Sequence, residues 1–180
     1  IFIISLLNFL FLSYFYGSFL MYEFIIFIIL ITLIFLMLNI TNSKFKIFLG
    51  DAGSNFFGFI ISWLLIFYSS DQNAEFHQSL VIWCVTIPLY DFFSVVLKRI
   101  YYGKNPFKYD RTHIHHSLQN YGFNSLTILI SLIVLSISLF FIGLLVNIIF
   151  GHIVSILFFV GIFFIYFYIK EFGLNLLFKS

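Results

Sequence analysis

Charge is scarce in this sequence. Only 9% of its residues are Asp, Glu, Lys or Arg, while 62% are hydrophobic. That leaves too little polar surface to cover a soluble domain. The net charge of +2 is too small to imply a nucleic-acid partner. There is one cysteine, Cys84, set inside an apolar run, so neither a disulfide framework nor a cysteine metal site can form within the chain. Residue 1 is Ile, in mid-run, with no basic segment and no small-residue cleavage site around it. No signal peptide is therefore expected, and the chain reads as a piece of something longer. It contains no internal repeat.

What fills the chain instead is hydrocarbon. The mean hydropathy is +1.11, and Phe alone occurs 29 times. Runs near 1–16, 21–40, 55–69, 79–97, 125–148 and 151–170 approach the roughly 20 residues that a membrane-crossing helix needs. The expected fold class is all-α: a polytopic membrane helix bundle of about six transmembrane helices, with 1–180 forming a single membrane domain. Orientation follows from Lys and Arg in the connecting segments. Lys44 and Lys46 lie in 41–54, five basic residues lie in 98–124, and Lys170 and Lys179 lie in the tail. The segment 69–78 has only Asp71 and Glu75. Six helices place every Lys and Arg on one side, so that side is expected to be cytoplasmic, along with both termini.

The longest polar stretch, Lys98 to Gly122, holds Lys98, Arg99, Lys104, Lys108 and Arg111 of the nine basic residues and three of the five histidines. His113, His115 and His116 follow Asp110 and Arg111. If this part is helical, His113 and His116 share a face and His115 points elsewhere. Histidine with arginine makes a clamp for a diphosphate through charge-assisted donors. A zinc site is the alternative, because His-x-His is a ligand spacing, and a basic loop touching anionic lipid is a third reading.

Other residues carry two readings each. Asp51, in Gly50-Asp51-Ala52-Gly53-Ser54 before an apolar helix, can hold Mg²⁺ against a diphosphate, or Asp51 or Ser54 can be a plain N-cap. Gly50 and Gly53 allow tight turns and close approach of a ligand. Asp91 sits within an apolar run, which marks it as functional or as a buried partner for Lys98 or Arg99. Pro88 is expected to kink that helix. Tyr101, Tyr102, Phe107 and Tyr109 can stack a nucleobase or form an interfacial aromatic belt. His77 and His152 fall on the opposite face and are read as incidental.

The block from Lys46 to Ser54, with Asn39 upstream, resembles the Gly-Asp-Ala-Gly-Ser motif of the polyprenyl-phosphate N-acetylhexosamine-1-phosphate transferases. Pro88-Leu89-Tyr90-Asp91, Lys98-Arg99, Gly103, Pro106-Phe107 and Asp110-Arg111-Thr112-His113-Ile114-His115-His116 resemble that family's Pro-Leu-x-Asp segment and His-x-His-His loop, in the same order and spacing. The resemblance covers roughly residues 39–122. The single residue between His113 and His115 resembles the branch that moves GlcNAc-1-phosphate, or a related sugar phosphate, onto undecaprenyl phosphate to start envelope glycans. The branch acting on phospho-N-acetylmuramoyl-pentapeptide shows three consecutive histidines instead.

The resemblance implies phosphoryl transfer from a UDP-N-acetylhexosamine to undecaprenyl phosphate, with UMP leaving. It makes Asp51, His113, His115 and His116 catalytic and Asp51 a ligand of Mg²⁺ (or Mn²⁺). It places Arg111, Asp91, Gly53 and Asn39 in substrate binding. It implies a lipid bilayer setting in the bacterial inner membrane with the site facing the cytoplasm, and leaves a homodimer open. The family also carries an Asp-Asp pair and an Asn-x-x-Asn-x-x-Asp-Gly segment in its N-terminal half. This sequence has neither, so it resembles the C-terminal portion of a longer transferase and alone lacks part of the metal and acceptor site. A His-box membrane metalloenzyme, or a non-catalytic protein that retains the fold, are the alternatives.

Overall fold

A computed structural model describes residues 2–15, 19–40, 49–70, 78–105 and 113–173. The described chain is helical, with no strand. The helices are α1 (Phe2–Phe15), α2 (Phe19–Ile40), α3 (Gly50–Ser70), α4 (Ser79–Trp83), α5 (Thr86–Tyr101), α6 (Ile114–Asn120) and α7 (Ser125–Tyr168). A π-helical turn, Ile169–Gly173, follows α7. Among the described residues three helical stretches are long and apolar enough to cross a membrane: within α2, α3, and α7 with its following turn. The 14-residue α1 is only about 21 Å long at 1.5 Å per residue, short of the roughly 30 Å hydrocarbon layer.

α7 is two limbs. Gly151 has φ 81° and ψ 179°, a combination nearly confined to glycine. Trp83 shows that the chain doubles back there. Its indole lies against Gly143 in the first limb. It also donates from Nε1 to Ser155 Oγ in the second at 3.0 Å. The limbs 125–150 and 152–168, close to the expected runs 125–148 and 151–170, are therefore antiparallel neighbours joined at Gly151. A Cβ on residue 143 would run into the Trp83 ring. Gly143→Ala is expected to cost about 1–3 kcal/mol by overpacking, read as a lower unfolding temperature in detergent; an unchanged temperature would show that the limbs separate freely.

Side-chain pairs fix the direction of each pass. Phe2 meets Phe57 (ring centroids 4.1 Å apart), while Phe9 stacks on Tyr68 and Ser13 bonds the Tyr68 hydroxyl, so α1 and α3 are parallel. Asn8 reaches Ser136, and Phe11 packs on Phe140 and Phe141, so the first limb of α7 runs the same way. Ser79 meets Asn147, and Trp83 meets Gly143, so α4 and α5 oppose it. Trp83 with Phe159, Tyr90 with Phe163 and Tyr166, and Lys98 with Glu171 make the second limb parallel to α5. Thus α1, α3 and the first limb of α7 run one way, and α4, α5 and the second limb run the other. One end of the bundle gathers the starts of α1, α3 and α7, the end of α5, α6, and the turn after α7.

The break between α4 and α5 falls at Cys84–Val85, one turn before Pro88. That is where a proline acts, because it cannot donate to the carbonyl four residues back. The freed Cys84 carbonyl accepts from Asn8 Nδ2 at 3.3 Å, and the same amide lies 3.4 Å from Ser136 Oγ. A single buried Asn therefore replaces the lost helical bond and ties α1, α4–α5 and α7 together, the kind of polar contact that holds helices in an apolar medium.

Candidate active site

Asp91 is buried in the second turn of α5, only 5% exposed, and both its oxygens are engaged. Oδ1 accepts the Ile114 backbone N–H at 2.9 Å and the Lys170 ammonium at 2.6 Å. Oδ2 lies 2.9 Å from His113 Nδ1. Lys170 also donates to Ser94 Oγ at 2.7 Å, and Ser94 donates to the Asp91 carbonyl at 2.8 Å. Lys98 and Arg99 are not its partners: Lys98 pairs with Glu171 at 2.5 Å.

This carboxylate explains why α6 starts where it does. The first N–H groups of a helix have no internal acceptor, and α6 has no side-chain cap of its own. Asp91 supplies the acceptor from another helix. It also receives His113 Nδ1–H, which leaves Nε2 directed away from the carboxylate. His113 is extended (φ −63°, ψ 150°) and precedes the helix. The expectation that His115 would point away from His113 and His116 fails for that reason, since helical periodicity does not reach His113. The His113 and His115 rings are instead stacked with centroids 6.0 Å apart, and His115 and His116 lie 4.1 Å apart. The three imidazoles form one row.

Burial holds the His115 pKa below the ordinary histidine value. The nearby His116 and His113 push the same way, and Asp91 opposes them. Its proton is bound more tightly in the unfolded chain, so the stability it contributes is present above the ordinary histidine pKa and is lost as pH falls through it. The His115 ring is expected to titrate in NMR below about 6.5; a midpoint at or above that value would contradict this environment.

Asp51 lies exposed in the first turn of α3, and among the described residues no side chain pairs with it. Gly50, at φ 61°, makes the turn into the helix. Gly53 is not an open ligand surface, because the Leu49 side chain occupies the space beside it. Ser54 bonds back to the Gly50 carbonyl at 3.0 Å rather than capping. Among the described residues no group of three or more His, Cys, Asp and Glu side chains is placed to hold a metal ion. A single exposed carboxylate still fits Mg²⁺, which is commonly held by one or two carboxylates plus substrate phosphates. Asp91 does not fit, because its oxygens are taken.

Tyr101 and Tyr102 are exposed at the same end and meet edge to face at 5.3 Å. Arg111, Asp110, Phe107, Tyr109, Lys44, Lys46, His77 and Lys179 lie outside the described residues, as does the side chain of Asn39, whose backbone is in α2. Beneath α6 is an apolar cavity of about 270 Å³ lined by Ile114, Leu118, Leu139, Ile162, Tyr166 and Lys170 among others.

No family model and no solved structure matches the chain. Curated relatives do. A Haemophilus influenzae protein is 36% identical over 94 residues, 51% of this chain and 26% of the relative. A Pasteurella multocida protein is 37% identical over 84 residues, 47% of this chain and 24% of the relative. One from Escherichia coli K12 is 36% identical over 92 residues, 51% of this chain and 25% of the relative. Each is named undecaprenyl-phosphate alpha-N-acetylglucosaminyl 1-phosphate transferase. Over about half its length, this chain is similar to these transferases. The match agrees with the resemblance carried by the Gly50–Ser54 and Pro88–His116 motifs. The chain spans about a quarter of the length of these transferases.

Lys170 is the member of this network that no local sequence pattern pointed to. It entered only as a tail charge. The signal was available, since a carboxylate within an apolar helix needs a cation from somewhere.

Proposed function

We propose that the protein carrying this chain transfers a sugar-1-phosphate, GlcNAc-1-phosphate or a close relative, from a UDP-sugar to undecaprenyl phosphate, initiating an envelope glycan. In net terms an oxygen of the lipid phosphate forms a bond to the donor's β-phosphorus. The bond from that phosphorus to the bridging oxygen breaks, and UMP leaves with the electron pair.

The observation that carries this reading is the histidine row. Three imidazoles are held at one end of an otherwise apolar bundle, oriented by a buried carboxylate, at the end where α3 presents Asp51. The names of the relatives support the reaction class. In this reading His113 Nε2, His115 and His116, with Arg111, contact the diphosphate and stabilise charge developing on the transferring group. Asp51 would hold Mg²⁺, and when bound the ion would neutralise phosphate charge. Asp91 positions His113 rather than touching substrate. Among the described residues Lys98, Arg99, Lys104 and Lys170 all lie toward this end of the bundle, which supports placing it at the cytoplasmic face of the bacterial inner membrane, where UDP-sugars would reach it.

The test is UMP formation by the purified protein in detergent. With UDP-GlcNAc and undecaprenyl phosphate present, UMP should appear, and omitting the lipid phosphate should stop it. Absence of UMP with every UDP-N-acetylhexosamine, together with bound iron or zinc, would point instead to a histidine-box metalloenzyme.

A further inference from the structure

The network around Asp91 joins segments far apart in the chain. Lys170 Nζ holds the same oxygen, Oδ1, that accepts the Ile114 N–H, and the other oxygen holds His113. The Lys170 side chain is 2% exposed, so this ammonium serves the interior. Without it, Asp91 would be a buried charge with no full counter-charge and would take up a proton or water. Either change would free the carboxylate to rotate and would weaken its hold on both His113 and the start of α6. The turn carrying Lys170 is itself tied down, because Glu171 pairs with Lys98 on α5. π-helical turns of this kind recur at functional sites.

We propose that Lys170 is a positioning residue for the transfer reaction, acting through Asp91 to fix the orientation of His113 and the first turn of α6. The role rests on the histidine row being the diphosphate site. The turn after α7 is then part of the active-site architecture, although Lys170 itself is buried.

The test uses the full protein with UDP-GlcNAc and undecaprenyl phosphate. Lys170→Met is expected to lower kcat about 10- to 100-fold, the scale of a misplaced group. The KM for UDP-GlcNAc should change by less than about threefold. Lys170→Arg, which keeps the charge, is expected to regain most of kcat. The double variant Asp91→Asn with Lys170→Met removes both charges and should unfold near the wild-type temperature. Its kcat should stay low, because a carboxamide N–H facing His113 Nδ1 imposes the other tautomer. Full kcat in that double variant would make Lys170 a mere charge partner and overturn the proposal. Hydrogen exchange over 113–120 reads the same linkage without activity. Exchange at Ile114 should quicken in Lys170→Met and slow again in Lys170→Arg; unchanged exchange would also overturn the proposal. Quickened exchange in a protein that makes no UMP would sink the transferase reading and leave the Lys170–Asp91–His113 linkage intact.

Discussion

Asp51→Asn in the complete protein is expected to reduce UMP release to background while leaving the bundle folded. The two effects separate because of where Asp51 sits. Its side chain is exposed in the first turn of α3, with no partner among the described side chains. Folding therefore loses only the favourable meeting of a carboxylate with a helix N-terminus, about 0.3–1 kcal/mol. Asparagine keeps the shape and removes the charge that a hard cation requires. Losing one preorganised electrostatic contact to a transition state costs about 10²- to 10³-fold in kcat, and the loss of an ion neutralising a diphosphate should be at least as large. Paired unfolding and UMP assays check this. Near-normal turnover would remove Asp51 from the metal site.

Asp91→Ala should fail in the opposite way, through structure first. The change strands the Lys170 ammonium inside the bundle and takes the acceptor from the Ile114 N–H and the orienting partner from His113. Removing one partner of a buried ion pair costs about 3–5 kcal/mol, a large share of the stability of an ordinary domain. The expected result is a marked fall in unfolding temperature with rapid proteolysis near α6. A loss below about 1 kcal/mol, the scale of an exposed pair, would mean that water reaches Asp91 and the network is loose.

The runs that became α2, α3 and α7 were legible because length and hydropathy alone decide them, and Gly151 breaks α7 as a turn must; α1 is shorter than a full span, and the run 79–97 is split into α4 and α5. Lys98, Arg99 and Lys104 follow one another at the end of α5 and just beyond it, as expected where burying those charges in hydrocarbon is so unfavourable. The wiring of Asp91 was not. Lys98 and Arg99 are near it in sequence, but seven residues along a helix is about 10.5 Å of rise, which leaves Lys98 level with Glu171 instead. Lys170 arrives level with Asp91 only because the second limb runs parallel to α5, a tertiary fact that no local pattern carries. The histidine row was misread for a related reason: His113 is extended, and α6 begins after it. Pro88 was read correctly as a breaker, but its effect appears one turn upstream, where Asn8 takes over the orphaned carbonyl.

In the proposed reaction the phosphorus next to the sugar moves with the sugar. UDP-GlcNAc labelled at its β-phosphorus, incubated with the purified protein and undecaprenyl phosphate, tests it directly. Label is expected in the lipid, with unlabelled UMP in solution. Label that stays with the nucleotide, as UDP or unreacted donor, would contradict it.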